Sequence, residues 1–444
     1  MKTGKLAVWC LAVSSCGWWG GASAATATAA NLTRGFTAVV ARRGDQVVLS
    51  NADGRLVAEQ KAGEEDARLI QQGAELCRQG GELRIMAGQY DLKESIVLDF
   101  PCTLSGEGRG TILVPPANDY AIRIMKTDRS PSINDWVWGP ERASIPKGLI
   151  KLCGERLYGV YVRSLAIVGN GRGKGIYLTG VTECICDDLA IHSTYDGAAI
   201  YVDKTVMETE FRSIVCYVNG SIRNHEATIV IASQDGGDGN NNLQFTRVHV
   251  LLPNYIGVQI GTDKTSPPRL IFFTQSFFHG WLPFERTAPY DLFLVHAADP
   301  DRGIVISASR FTNTGKTNAM LHVEKGALDL TDSVLGGGTG KTVILADPNT
   351  RLSIRGNTFH HVMAGQWSLD ANRADVIFAQ NILDSQGQIR LQDARTAVVT
   401  GNRFGRPEKE AIVVVPKSLL RTKDRIQVSG NVFAPAPKTQ SGPR

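Results

Sequence analysis

Through most of its length the chain alternates apolar and polar residues in short runs and shows no helical rhythm. Ile176/Leu178, Ile200/Val202, Ile229/Ile231, Val258/Ile260, Leu292/Leu294, Leu321/Val323, Val343/Leu345, Ile389/Leu391 and Ile412/Val414 are pairs of apolar residues two apart. That period predicts short strands with one face buried and one face wet. Between them a second pattern recurs, in "SIRGNTF" (353–359), "VTGNRF" (399–404) and "VSGNVF" (428–433). Aligned on its polar residue it becomes a ladder of Ser276, Ser309, Ser333, Asn357, Asn381, Asn402 and Asn431. The second residue after each is Phe278, Phe311, Leu335, Phe359, Leu383, Phe404 or Phe433. From Ser309 the steps are 24, 24, 24, 21 and 29 residues. Upstream, "RSLAIV" (163–168), "DDLAIH" (187–192), "RSIVCY" (212–217) and "TRVHVL" (246–251) continue it at more variable spacing.

A repeat of roughly two dozen residues without helix periodicity predicts a solenoid of strands. Three short strands per coil, separated by tight bends, give an all-β right-handed parallel β-helix. On this reading Gly and Asn take the left-handed backbone of the bend. Stacked Asn side chains hydrogen-bond along the column, and the Phe two residues on stacks in the core.

The segment 64–114 carries a resemblance. "EEDARLIQQGAELCRQGGELRIMAGQYDLKESIVL" followed by "CTLSGEGRGTIL" resembles the N-terminal segment of the pectate-lyase-like superfamily, of the pectate lyase 3 type. The resemblance implies a capping helix over Glu65–Gln79, stopped by Gly80-Gly81, and a first bend at Ala87-Gly88-Gln89-Tyr90. It implies the β-helix fold and leaves the reaction open. That superfamily includes lyases, hydrolases, epimerases, fructan-converting enzymes, tailspikes and adhesins. No polygalacturonase-like "NTD…DD…HG…RIK" set and no alginate-epimerase-like "DPHD" is present.

The ends read differently. Lys2, Lys5, the apolar run Leu6–Val13 and the small residues Ala22-Ser23-Ala24 predict a signal peptide over 1–24. "VSSC" ending at Cys16 is the alternative, a bacterial lipoprotein signal, and it is the one route to a membrane. Either way the protein is expected outside the cytoplasm, secreted or periplasmic in a bacterium. A small β-hairpin module is expected at 31–62, with Asp53-Gly54 as a turn. The β-helix then runs from 63 to 433, and 434–444 is a Pro-rich disordered tail. The net charge of +5 falls to about +3 without Lys2 and Lys5, too weak and scattered for a nucleic-acid partner. Cys77 and Cys102 are candidates for a disulfide. Cys184 and Cys186 share one strand face and read as buried small hydrophobes, not zinc ligands.

From 309 onward the coils are plain, whereas insertions crowd 118–148, 217–227, 233–242, 262–268 and 279–290. Long bends cost closure entropy, so a cluster of them asks for a function. These loops are expected to wall a trough whose floor is the outward residues Tyr177, Thr179, Tyr201, Asp203, Val230, Gln259 and Phe293. A polysaccharide or oligosaccharide would lie along it. Asp196, Asp203, Lys204, His225 and Glu226 are the candidate catalytic residues. Tyr177, Tyr201, Arg223, Asp235, Gln259, Trp136 and Trp281 are the candidate substrate contacts. Two carboxyls suit a glycoside hydrolase, while a cation with a phenol suits a β-eliminating polysaccharide lyase. A non-catalytic carbohydrate-binding or structural solenoid is the alternative. Asp188 reads as a bend residue. "SQDGGDGNNN" leaves Ca2+ open as a cofactor, with unconvincing ligand spacing, and side-by-side solenoids leave a homo-trimer open.

Overall fold

The computed structural model describes residues 35–144, 147, 155–236, 239–280, 291–312, 318–336, 342–360, 362, 365–384, 386–415 and 425–435. The signal segment with Cys16, together with Cys153, Trp281, Asp238 and nearly all of the tail, lies outside them. One strand from each coil enters a 12-stranded parallel sheet running from Ile96–Leu98 to Ile412–Val415. Most of the other strands form a second, 26-stranded sheet, and Leu157–Tyr158 pairs with Val181–Thr182 as a third. Alternation does the sorting. Ile122, Ile176, Ile200, Ile229 and Val258 stand in register and are fully buried. Their neighbours Arg123, Tyr177, Tyr201, Val230 and Gln259 form the outward column.

Two coils depart from the expected parity. In "DLFLV" and "TVILA" apolar residues stand on both faces, so period two does not choose between them. Phe293 and Val295 point inward, with Phe293 packed edge-on to Phe273 and Phe278, and Leu294 takes the outward place. Likewise Ile344 is the register partner of Leu321, which turns Leu345 outward. Phe293 is therefore core and no part of a trough floor.

The polar ladder exists and works differently from the expectation. The left-handed residue is the one before each ladder residue: Gly356 (φ 67°), Gly401 (φ 66°), Gly430 (φ 62°), Gln380 (φ 57°), Asp332 (φ 50°) and Ala308 (φ 48°). Upstream, Asp188 (φ 52°) and Ser213 (φ 53°) take the same role. The ladder residue itself turns inward and feeds backbone groups that a bend leaves unpaired. Ser333 N donates to Asn357 Oδ1, Asn357 N to Asn381 Oδ1 and Asn381 N to Asn402 Oδ1, each at 2.9 Å. Beside this column the aromatic rings stack, Phe211 on Phe245 and Phe245 on Phe273, both at 4.5 Å.

The N-terminal end is closed by its own chain. Ala38–Arg43, Gln46–Asn51 and Leu56–Lys61 form an antiparallel meander whose first strand also pairs in parallel with Glu82–Ile85. The segment expected as a separate hairpin thus shares the solenoid's sheet and its core. The helix Asp66–Leu76 buries Leu69, Ile70 and Ala74 across the end. Its Gln71 amide exchanges hydrogen bonds with Val97, accepting from the nitrogen at 2.8 Å and donating to the oxygen at 3.0 Å. A side chain thereby caps the exposed edge of the first outward strand. All five described cysteines are buried free thiols, Cys77 and Cys102 included, so the expected disulfide is not formed. Burial pushes the Cys184 and Cys216 thiols up to about 12, consistent with inert core residues.

Candidate active site

Tyr177 and Tyr201 occupy the outward face of two successive coils, and Tyr120, register partner of Lys174 at the start of Tyr120–Met125, joins them from the strand's edge. Tyr177 and Tyr201 are register partners with ring centroids 5.9 Å apart, and Tyr120 approaches them at 5.2 and 6.4 Å. Arg123, one strand below Tyr177, lies 5.3 Å from the rings of both Tyr120 and Tyr177 and pairs with Asp119. Two carboxylates meet this column. Tyr177 donates its hydroxyl to Asp203 at 2.6 Å, and Tyr120 donates to Glu226 at 3.1 Å. Glu226 also receives Lys174 Nζ at 2.7 Å, with side-chain exposures of 12% and 18% for the acid and the lysine. Burial raises the Tyr201 phenol to about 12, and Asp203 and Glu226 push it the same way. Tyr177 and Tyr120 are raised further, again chiefly by burial. All three phenols are therefore hydrogen-bond donors at neutral pH.

Glu226 reaches the column because position 197 is glycine. A Cβ there would come within 2.4 Å of Glu226 Oε2 and 2.8 Å of Lys174 Cε. The "DG" of 196–197 is a turn, and it is also the hollow in which this ion pair lies. Asp196 has a different task from the one expected. Its Oδ2 accepts the backbone amides of Asn118 at 2.9 Å and Gly173 at 2.6 Å, tying three loops together. Asn224 Nδ2 holds the Asp196 carbonyl at 2.5 Å.

The remaining expected residues lie on the rim. Lys204 is exposed and offers its backbone carbonyl to Gly180. Arg223 and His225 are exposed in the loop before Ile229–Ile231, His225 stacked on Tyr255 at 5.8 Å. Asp235 is exposed on the opposite loop, where Gln234 pairs with Ser266. Gln259 keeps its floor position and bonds to Gly261 O at 3.2 Å. Trp136 belongs to the short helix Ile133–Trp138 with its side chain outside the description, as is all of Trp281. Among the described residues no three His, Cys, Asp or Glu side chains form a group that could hold a metal ion. Beyond Tyr201 the floor turns apolar, with Val230, Ala232, Ile256 and Leu294 packed together.

Tyr120, Arg123 and Lys174 are functional candidates that the sequence reading passed over. Arg123 was accessible, since Ile122/Ile124 carry the same period as Ile176/Leu178. Tyr120 and Lys174, register partners, were not, because they share the inward parity of Ile122 and Ile176 and only their place at the strand's start lets them reach Glu226.

No family model matches the chain, and no curated protein matches it in sequence. Among solved structures it is similar to the A-module of mannuronan C-5 epimerase AlgE6 of Azotobacter vinelandii. The TM-score is 0.56 at 12% identity, over 84% of this chain and 97% of that one. It is similar to PfbA, a surface adhesin of Streptococcus pneumoniae, with TM-score 0.55 at 10% identity, over 83% of this chain and 88% of that one. ORF18 of Geobacillus virus E2 gives 0.49 at 14% identity over 80% of this chain, which spans only 57% of that one. The fold is a right-handed parallel β-helix.

Four coils further along the outward face, the β-helix carries a second polar group. His322 continues the column after Leu294. Its Nδ1 lies 2.9 Å from Asp291 Oδ2, while Asp291 Oδ1 accepts from Asn318 Nδ2 at 3.1 Å and Ala319 N at 3.0 Å. Burial alone would lower the His322 pKa. The Asp291 hydrogen bond and the charges of Asp291, Asp347 and Glu324 outweigh it and raise the value. A raised folded-state pKa stabilises fully below the unfolded value of about 6.5, and the contribution disappears as pH rises through the folded value. The melting-temperature advantage of the native protein over His322→Gln should thus be largest at acidic pH and shrink on alkalinisation. Melts across a pH series check this, and an advantage that grows with pH contradicts it.

Proposed function

We propose that the trough binds a glycan chain and that Asp203 and Glu226 cleave its glycosidic bonds by hydrolysis. The observation that carries this reading is the meeting of two carboxylates with a cluster of three tyrosines drawn from successive coils. Aromatic and apolar floor suits the faces of sugar rings. Two carboxyls in unlike surroundings, one ion-paired and one held by a phenol, are the parts glycosidic cleavage requires. The carbohydrate assignment draws support from the fold shared with a mannuronan C-5 epimerase module.

Hydrolysis is preferred to β-elimination for an electrostatic reason. The floor cations Lys174 and Arg123 are both committed to carboxylates, Glu226 and Asp119. A uronate would have to find its counter-charge on the rim, at Lys204 or Arg223. Non-catalytic binding is the second reading, favoured by the engagement of both carboxylates within the protein and by a shared fold with an adhesin. The protein is proposed to act outside the cytoplasm, which N-terminal sequencing of the exported form tests.

The deciding experiment incubates the purified protein with neutral, uronic and amino-sugar polysaccharides. Reducing ends released without ultraviolet absorbance from an unsaturated product support hydrolysis. Absorbance appearing with the new ends replaces it with elimination. Retention on a glycan affinity gel with neither signal replaces it with binding alone. Gly197→Ala supplies a finer check. The atoms its methyl would meet are the Glu226 carboxyl and the Lys174 ε-carbon, so the ion pair must shift and melting should fall modestly. The displaced Glu226 carboxylate should lower turnover by about 10²-fold, the scale of a 1 Å misplacement. Unchanged turnover would remove Glu226 from the site.

A further inference from the structure

We propose that a groove on the second sheet, lined by Arg109, His192, Tyr217 and His249, binds an acidic sugar, Arg109 taking its carboxylate and the imidazoles and phenol its hydroxyls. The groove belongs to strands of the other sheet and stands apart from the trough and from the reading given to it. Parity builds its floor. Ile112, Ala166, Ala190 and Val215 are register partners on four successive coils, alternating with the core residues Leu165, Ile167, Leu189 and Ile191. They therefore face away from the core. Ala166 and Ala190 keep the floor low, at 3% and 8% exposed, while Tyr217 stands on the rim at 45%. Arg109 comes from the short helix Gly108–Gly110 that precedes the first floor strand, and its charge acts on the His192 ring. His249 continues the floor column beyond Val215, its ring edge-to-face with Phe277 at 6.0 Å. The enclosed volume is about 630 Å³, within the range of small-molecule sites.

The lining selects the ligand. No carboxylate stands among the described lining residues, and Arg109 is their one permanent charge. The side chains of Arg109, His192, Tyr217 and His249 have no hydrogen-bond or ion-pair partner among the described residues. A few polar groups converging on an apolar pocket, none of them used by the protein itself, are free to orient a ligand. Burial and the Arg109 charge lower the His192 pKa, and burial lowers that of His249. Both rings are therefore neutral at neutral pH, and each offers one donor and one acceptor. That pairing suits hydroxyls. An alkyl carboxylate would answer Arg109 and the floor but give the imidazoles nothing. A neutral glycan would leave Arg109 unanswered. A second copy of the chain presenting the same face would bring only another Arg109. A sugar carboxylate with its ring hydroxyls answers every group, its apolar face lying on Ala166, Ala190 and Val215 and against the Tyr217 ring.

The test uses the whole protein with ring-¹⁵N-labelled histidine near neutral pH, titrated in turn with oligogalacturonate, oligomannuronate, a malto-oligosaccharide of the same length and octanoate. His192 and His249 resonances are assigned from single His→Gln variants. The expected result is that an oligouronate shifts both rings at lower concentration than the neutral chain does. Arg109→Gln should weaken that affinity about tenfold, the scale of a lost charge-assisted contact. Tyr217→Ala should weaken it as well. Arg109 and Tyr217 are both exposed, so these variants should melt as the native protein does. Asp203→Asn should leave the titration unchanged, since Asp203 belongs to the trough. Equal affinity for the neutral chain, or full affinity in Arg109→Gln, overturns the acidic-sugar assignment. Shifts under octanoate alone replace it with an apolar anion, and no shift under either oligouronate removes the site. A titration lost in Asp203→Asn moves the ligand to the trough and overturns the separate groove.

Discussion

Asp203→Asn is expected to lower glycan turnover by about 10²–10⁴-fold, the contribution of a positioned proton-transfer group, while the protein melts almost as the native form does. The amide keeps an oxygen for the Tyr177 hydroxyl, which now sits 2.6 Å from the carboxylate. Shape is conserved and only charge is lost. Glu226→Gln is expected to reduce turnover comparably and to cost stability as well. It leaves the Lys174 ammonium, 18% exposed, against a neutral partner. Removing one member of a sheltered ion pair is more damaging than removing both. The double variant Lys174→Met with Glu226→Leu should therefore melt above Glu226→Gln and remain without turnover. Rates and melting curves on the four proteins separate chemistry from folding. Full turnover in both Asp203→Asn and Glu226→Gln would discard the carboxylate pair.

The same arrangement explains why the two carboxylates are not interchangeable. Glu226 is fixed by a lysine and a phenol from two earlier coils, in the hollow left by Gly197. Asp203 has one phenolic partner and ends its strand at the solvent edge. A bound sugar could replace the single contact to Asp203 more readily than the pair on Glu226. That asymmetry makes Asp203 the more mobile group and Glu226 the more fixed one.

The fold was legible because it is written redundantly. Each coil repeats the period-two strand and the polar ladder residue, so one ambiguous coil does not hide the pattern. The ambiguous coils failed for a local reason: "DLFLV" offers large apolar residues to both faces, and Phe293 went inward where the core needed an aromatic. "WSLDAN" failed in the opposite sense, since Leu369 and Ala371 are inward but too modest a signal to stand out. Site legibility was lower. Tyr177 and Tyr201 follow from register alone, since adjacent coils must align like parities. Lys174 meeting Glu226 depends on how two bends fold over Gly197, and His322 lies in a coil that looks plain in sequence. Tertiary placement, not composition, brings those groups together.

Asn381→Ala is expected to destabilise the protein by about 2–6 kcal/mol, at about 1–3 kcal/mol for each of two buried groups left unpaired. Asn381 Oδ1 accepts from Asn357 N at 2.9 Å, and its Nδ2 donates to Ile354 O at 2.9 Å. Both orphaned groups lie inside the solenoid, where water cannot replace the lost partner. Asn431→Ala breaks the same kind of contact at the last coil, to Asn402 N at 2.9 Å, in a half-buried place that water reaches. Its cost should be smaller. Because each coil touches only its neighbours, the loss at 381 should be felt directionally. Hydrogen exchange should quicken first in Ile389–Gln392, Thr396–Thr400 and Ile426–Ser429, which depend on that rung, and last around Val160–Val168. Chemical denaturation with exchange measured strand by strand checks both statements. An Asn381→Ala protein as stable as Asn431→Ala would mean that the ladder aligns the coils without holding them together.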